Sequence, residues 1–325
     1  MTSGKSIAIA ALAAFALMTG AAVAQTYPSR PITVIMPFAG GSGSDVAARI
    51  VFARMAKTLG QPIIIENKPG AGGNSGTALA AKATPDGYTL VGAGSGPMAA
   101  NLTLYKDLGY DPQKELTLIS PFVSFTIVVT ASNKLGVNTV QELIERAKKE
   151  PGALNYGSVG IGSSQHLAGE YFAQVAGVKL THVPYRNIAQ FGPDMIAGIV
   201  QLGFAWYPNV AGPIMANGAK PLAVAGDKRL EVLSDTPTTT EAGLPKYKVD
   251  GWFGLGAPAG VPPDILERLN KELNDALMDR EVRANFEKVG AVPIGLSLDQ
   301  SKRFHADEIA KYRDIIVTAG IAKIE

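Results

Sequence analysis

A chain of 325 residues, 46% hydrophobic and 18% charged, is long enough for two ordinary globular domains, and its lack of cysteine excludes disulfides and thiolate metal sites. The formal charge of +2, which becomes +1 if Lys5 is lost, is too small to imply a nucleic-acid partner, and the basic residues lie in mixed-sign segments such as 142–150. The histidines His166, His182 and His305 lack metal-ligand spacing, so neither a metal nor a cofactor is expected.

In chain order, Lys5 precedes an apolar run over residues 7–18 and then Ala22-Val23-Ala24 before Gln25. That is the charge, core and small-residue pattern of a cleaved secretory signal, residues 1–24. The run is too short and too alanine-rich for a good membrane span, and no later segment offers about 20 uninterrupted apolar residues. A soluble, exported protein is expected, with no cysteine at position 25 to carry a lipid.

Residues 32–36 read as a buried strand. Pro37-Phe38-Ala39-Gly40-Gly41-Ser42-Gly43-Ser44-Asp45 then opens a helix with the apolar stripe Val46, Ile50, Val51, Met55 and Leu59, ending at Gly60. Such a turn can seat an anion, because glycines admit a ligand close to the backbone and the first helical N–H groups have no internal partner. An ordinary strand-to-helix turn is the alternative. Asp45 has two readings as well, a general acid or base and the commoner cap or loop brace.

A strand over 62–66, a helix over 74–83 and a strand over 88–92 follow, the last running into Gly94-Ser95-Gly96. Residues 125–130 are strongly β-forming. Thr139 and Glu142 make a capping box for a helix that buries Val140, Leu143, Ile144 and Ala147. Short strands at 154–157, 180–183, 202–205 and 222–225, separated by helical segments, predict parallel α/β sheets. The C-terminal part reads as mostly helical. Ile265, Leu266, Leu269, Leu273 and Leu277 share one face, and a box at Ser297 and Gln300 opens the last helix.

The segment from Asn155 to Leu167 repeats the first turn's logic through Ser158, Gly160, Ser163, Ser164 and Gln165. Ser163 or Ser164 is the expected N-cap, and the remaining polar groups exceed what a cap requires. Two such seats, far apart in sequence, predict two lobes closing on one small anion. Enzyme motifs fail: there is no GxSxG elbow, no dinucleotide fingerprint and no Gly-Lys-Ser or Gly-Lys-Thr phosphate loop. No catalytic residue is expected.

The segments Tyr27-Pro28-Ser29-Arg30-Pro31, Pro37 to Asp45, Glu66-Asn67-Lys68-Pro69-Gly70-Ala71-Gly72-Gly73-Asn74, Pro85-Asp86-Gly87-Tyr88, Ser163-Ser164-Gln165-His166, His182-Val183-Pro184-Tyr185, Glu241-Ala242-Gly243-Leu244-Pro245 and Trp252-Phe253-Gly254 together resemble the Bug-type receptors of tripartite tricarboxylate transporters. The likeness runs through the whole mature chain. It implies an α/β, type II periplasmic-binding-protein fold, with residues 25–124 and 249–325 in one lobe and 125–248 in the other. It also implies a small carboxylate ligand, membrane permease subunits as partners, a periplasmic monomer and no enzyme activity. Carried over by position, the ligand would meet Phe38, Ala39, Gly40, Gly41, Ser42, Gly43 and Ser44, Gly94 and Ser95, and Ser158, Gly160, Ser163, Ser164 and Gln165. Asn67 to Asn74 either frames the cleft or serves backbone geometry.

One departure bears on the ligand. Many such receptors read Phe-Asp-Asn-Leu-Pro where this chain has Phe204-Ala205-Trp206-Tyr207-Pro208. Losing the acidic acceptor argues against an amino acid, and Trp206 either stacks on a flat ligand or packs between the lobes. An aromatic mono- or dicarboxylate such as terephthalate is therefore the first expectation, and an aliphatic di- or tricarboxylate the second. From another class, a secreted hydrolase or isomerase would use Asp45 and Ser95.

Overall fold

The computed structural model describes residues 27–318 and 320–324, so the signal expected over 1–24 lies outside the described residues. Eleven strands among them form two sheets. The chain begins with β1 (Ile32–Met36), α1 (Gly43–Leu59), β2 (Ile63–Asn67), α2 (Asn74–Ala81), β3 (Thr89–Gly94) and the long β4 (Leu116–Thr126). It continues through β5 (Val128–Ser132), α3 (Val140–Lys149), β6 (Asn155–Ser158), α4 (Ser164–Ala176), β7 (Thr181–Pro184), α5 (Phe191–Ala197), β8 (Leu202–Ala205), α6 (Tyr207–Met215) and β9 (Ala219–Val224). The last part is β10 (Asp250–Pro258), α7 (Pro263–Met278), α8 (Arg280–Lys288), β11 (Ala291–Pro293) and α9 (Leu298–Thr318). The first sheet has the order β11-β4-β10-β3-β1-β2, and the second β7-β6-β8-β5-β9.

Local signals account for many boundaries. Ser42 caps α1 by accepting from the Asp45 N–H, and Gly60 at φ 71° closes it in the left-handed conformation that favours glycine. In the box that opens α9, the Ser297 N–H donates to Gln300 Oε1 at 2.9 Å and the Gln300 N–H to Ser297 Oγ at 3.2 Å. Helix α3 buries Val140, Leu143, Ile144 and Ala147, the stripe expected from its period. No helix among the described residues is long and apolar enough to cross a membrane.

Three expectations need correction. The sheets are mixed and not parallel: β1 runs parallel to β2 and β3, but β10 is antiparallel to both β3 and β4, and β5 to both β8 and β9. The β-forming stretch over 125–130 is two strands in two sheets, because the chain passes from one lobe to the other at Ile127. The C-terminal part also contributes β10, a nine-residue strand buried almost throughout. With Gly251, Gly254 and Gly256 in it and both faces covered, it shows no apolar-polar alternation to mark it.

Strand β10 begins where the chain returns from the second lobe, and α9 holds it there. Lys311 Nζ donates to Asp250 Oδ1 at 2.9 Å and to Glu308 Oε1 at 3.1 Å. Trp252 Nε1 donates to Glu308 Oε2 at 2.8 Å, and the Tyr312 hydroxyl to the Asp250 carbonyl at 2.9 Å. Burial raises the Glu308 carboxyl and, by itself, would lower the Lys311 ammonium, but the surrounding anionic groups carry Lys311 upward instead.

Candidate functional site

Both glycine-rich turns sit at the C-terminal ends of parallel strands, β1 and β6, and each leads into a helix, α1 or α4. In the first turn the Asp45 carboxylate is fully engaged. It accepts from the Gly41 N–H at 2.9 Å, from Arg49 Nε at 2.8 Å and Nη2 at 3.0 Å, and from Asn67 Nδ2 at 2.9 Å. Burial alone would raise its pKa, but these hydrogen bonds outweigh it and hold the carboxyl below the usual range. Asp45 is thus a brace that fixes the turn's shape. Asn67 adds a second tie, donating to the Phe38 carbonyl at 2.9 Å.

These ties show which amides remain for a ligand. The Gly41 N–H is spent on Asp45 and the Ser42 N–H on the Ala39 carbonyl, whereas the Gly43 and Ser44 N–H groups have no partner among the described residues. Gly41 has φ +78° and nothing within 4 Å of the place a Cβ would take. The left-handed conformation by itself favours glycine here, and the space a Cβ would take is open.

In the second turn Ser163 is the N-cap of α4, accepting from the His166 N–H at 3.3 Å and donating to the Gly160 carbonyl at 2.7 Å. The Ser164 and Gln165 N–H groups are left without partners among the described residues. Ser158 Oγ accepts from the Gly160 N–H at 3.0 Å and shares a 2.7 Å hydrogen bond with His182 Nε2. His166 Nδ1 accepts from the Gly162 N–H at 3.2 Å, and the two imidazoles lie 4.3 Å apart. Burial pushes His166 down to about 4, and burial together with His166 pushes His182 down to about 3, so both rings are neutral at physiological pH. The histidines shape the turn, and among the described residues no group of three His, Cys, Asp or Glu could hold a metal.

The lobes meet at these turns. The Tyr105 hydroxyl donates to the Ile161 carbonyl at 3.1 Å, across from one lobe to the other. A Cβ added to Gly72, which has φ +62°, would fall 1.9 Å from that same carbonyl oxygen. The N-termini of α1 and α4 converge on Asn209 of α6. Gln165 Nε2 donates to Asn209 Oδ1 at 3.1 Å, and a Cβ on Gly43 would lie 3.4 Å from the same oxygen.

Beside this seam a cleft of about 570 Å³ is walled by Phe38, Ala39, Ser42 and residues 69–73 on one side, and by residues 159–161, Tyr185 and Arg186 on the other. Of the expected site residues, Phe38, Ala39, Ser42 and Gly160 line it. Gly43, Ser44, Ser95, Ser158, Ser163, Ser164 and Gln165 are buried and do not line it, Gly94 lies in β3 against the Trp252 carbonyl, and Gly40 and Gly41 face solvent. Ser95 Oγ, Gln165 Oε1 and Trp206 Nε1 are buried without a hydrogen-bond partner.

Trp206 does not line the cleft. It is 2% exposed, stacked on Phe125 with ring centroids 5.0 Å apart, and perpendicular to Phe253 at 5.1 Å. Gly43 and Gly251 close on its edges. Sequence reading passed over Arg186, Tyr105 and Tyr185 as wall residues. The His182-Val183-Pro184-Tyr185 motif contains Tyr185 and adjoins Arg186, but nothing local shows which side of the following turn faces the other lobe, and no motif pointed to Tyr105.

Residues 47–321 match the family model described as the tripartite tricarboxylate transporter family receptor. The chain is 33% identical to the protein BugT of Bordetella pertussis over 91% of each chain. Among solved structures, an R. palustris protein with adipate is 34% identical with a TM-score of 0.88, covering 92% of this chain and 100% of that one. MatC from Rhodopseudomonas palustris with bound malate is 30% identical with a TM-score of 0.84, covering 89% and 100%. With the two-lobed fold and the paired turns, these matches place the chain in the tripartite tricarboxylate transporter receptor family, as a Bug-type periplasmic solute-binding receptor.

Proposed function

We propose that this receptor captures a small carboxylate with an apolar body and presents it to the permease subunits of a tripartite transporter. The observation that carries this reading is the convergence on one buried seam of two helix N-termini, one per lobe, each with two unpaired N–H groups. Each helix end is worth roughly 0.3–1 kcal/mol to a nearby charge, up to about 2 when partly buried. The adjoining cleft, walled by Phe38, Val159, Ile161, Pro184 and Ile188, suits a hydrocarbon body, and its volume falls within the range of about 300–1,000 Å³ usual for small-molecule sites.

An aliphatic dicarboxylate takes first place, because a neighbour of 34% identity was solved with adipate and the Trp206 ring is packed against protein. An aromatic acid such as terephthalate is the second reading, favoured by the rings of Phe38, Tyr105 and Tyr185 in the wall. Export with loss of residues 1–24, a monomeric state, and two lobes divided at Ile127 and ahead of Asp250 complete the proposal. A hydrolase or isomerase is disfavoured. Asp45 is held as a bound carboxylate, and buried Ser95 Oγ has no hydrogen-bond partner among the described residues. Incubating the purified protein with a carboxylate panel, with both melting temperature and products followed, tests the reading. A receptor raises Tm and returns the acid unchanged, whereas turnover of any acid overturns it.

A further inference from the structure

Among the described residues the cleft wall is built of backbone, apolar side chains, Ser42, two tyrosines and one charged residue, Arg186. Its position follows from the end of β7. The Tyr185 N–H donates to the Ser158 carbonyl at 2.8 Å, tying this segment to the second turn. The Tyr185 hydroxyl donates to Asp194 Oδ2 at 2.7 Å, which directs it to α5, and burial with Asp194 raises the phenol's pKa so that it stays neutral. Arg186 comes next in the chain, exposed and with no carboxylate partner among the described residues. Arg49, beside the first turn, is by contrast occupied by Asp45. Among the described residues the wall therefore carries one formal charge, Arg186, and the unpaired helix-end amides of Gly43, Ser44, Ser164 and Gln165 follow the wall residues Ser42 and Ile161 within four positions.

We propose that Arg186 binds the second carboxylate of a dianionic ligand, making it the residue that separates dicarboxylates from monocarboxylates of the same body. This rests on the carboxylate-receptor reading. Helix-end amides serve one carboxylate; a second one, carried out along an apolar body, would lose its hydration against apolar walls unless a cation met it. A guanidinium fits the role, because its fork of donors matches a carboxylate in two parallel hydrogen bonds. A pair shielded inside a closing cleft is screened less than one on an open surface.

Calorimetric titration of the mature chain with two matched pairs, adipate against hexanoate and terephthalate against benzoate, tests the assignment. In Arg186→Gln the dicarboxylate that binds wild type should weaken by about tenfold or more, and its monocarboxylate partner should change by less than about twofold. Arg186→Lys should fall between. Added salt should weaken dicarboxylate binding more in wild type than in Arg186→Gln. Equal losses for both members of a pair, no loss for the dicarboxylate, or a wild type that prefers the monocarboxylate would each overturn the assignment and leave the receptor reading intact. If none of the four acids binds wild type, the receptor reading falls and takes the assignment with it. Arg186 is exposed, so an unchanged circular dichroism spectrum and Tm are expected for the variants.

Discussion

Trp206 shows how one side chain can look like a ligand contact and behave as scaffold. Its position in the chain suggested an aromatic face for a flat acid, but the ring is spent on Phe125 and Phe253 and is almost wholly buried. Trp206→Ala should therefore act through stability, costing about 3–5 kcal/mol as large-to-small core changes of this kind do. Denaturant titration checks the loss. Any drop in affinity should be shared by aromatic and aliphatic acids, and a selective loss for the aromatic one would return Trp206 to the ligand. The histidine pair makes a pH prediction at the same scale. Both imidazoles titrate below the ordinary value of 6.5, His166 at about 4 and His182 at about 3. Above 6.5 they are neutral folded and unfolded alike and contribute no pH dependence. Below it only the unfolded chain takes up these protons, so stability falls as pH drops from 6.5 toward 4, by up to about 1.4 kcal/mol per pH unit for each group. Melting curves from pH 7 to 4.5 should slope less for a His166→Gln, His182→Gln double variant than for wild type.

At the scale of elements, the decisive contacts join loops of opposite lobes. The turn over residues 70–73, between β2 and α2, touches the turn between β6 and α4 closely enough that Gly72 has no room for a side chain. Gly72→Ala should hold the lobes apart. Its left-handed backbone adds a strain of about 1–2 kcal/mol, which is modest beside the steric block at the Ile161 carbonyl. The expected result is a folded protein, Tm lowered by a few degrees, with carboxylate binding lost. Thermal shift with and without adipate measures both effects, and retained binding would mean that the two turns need not touch.

The whole molecule carries two sheets linked by chain passages at Ile127 and ahead of Asp250, the second anchored to α9 through Glu308, Lys311 and Tyr312. Two chain passages between the lobes suit a hinge, with the Trp206–Phe253 contact packed across it. The described arrangement brings the lobes together while leaving Ser95 Oγ, Gln165 Oε1 and Trp206 Nε1 buried and unpaired. Such groups cost about 1–3 kcal/mol each unless water or ligand meets them, which favours an open form or a ligand-filled closed one. The ligand-free protein should therefore spend much of its time open, and small-angle scattering should give a smaller radius of gyration at saturating carboxylate than without it. Identical curves would argue against ligand-driven closure.

Local chemistry was enough to read much of this from sequence. The strand, turn and helix from Ile32 to Gly60, the capping boxes at Thr139 and Ser297, and the buried stripe of α3 depend on neighbours within a few residues, and each formed where its pattern stood. The ordered motifs from Tyr27 to Gly254 likewise carried the family, since they record positions and not contacts. Tertiary structure decided what depends on partners distant in the chain. Strand β10 has a sequence without alternation because it is covered on both faces, and residues 125–130 divide because the chain changes sheets within them. Asp45 is a brace because Asn67 and Arg49 reach it, and Trp206 is packed in the core because Phe125 and Phe253, from strands far along the chain, close around it. Arg186 belongs to the cleft wall because folding sets the end of β7 opposite the first lobe, a relation between segments more than a hundred residues apart that no local spacing encodes.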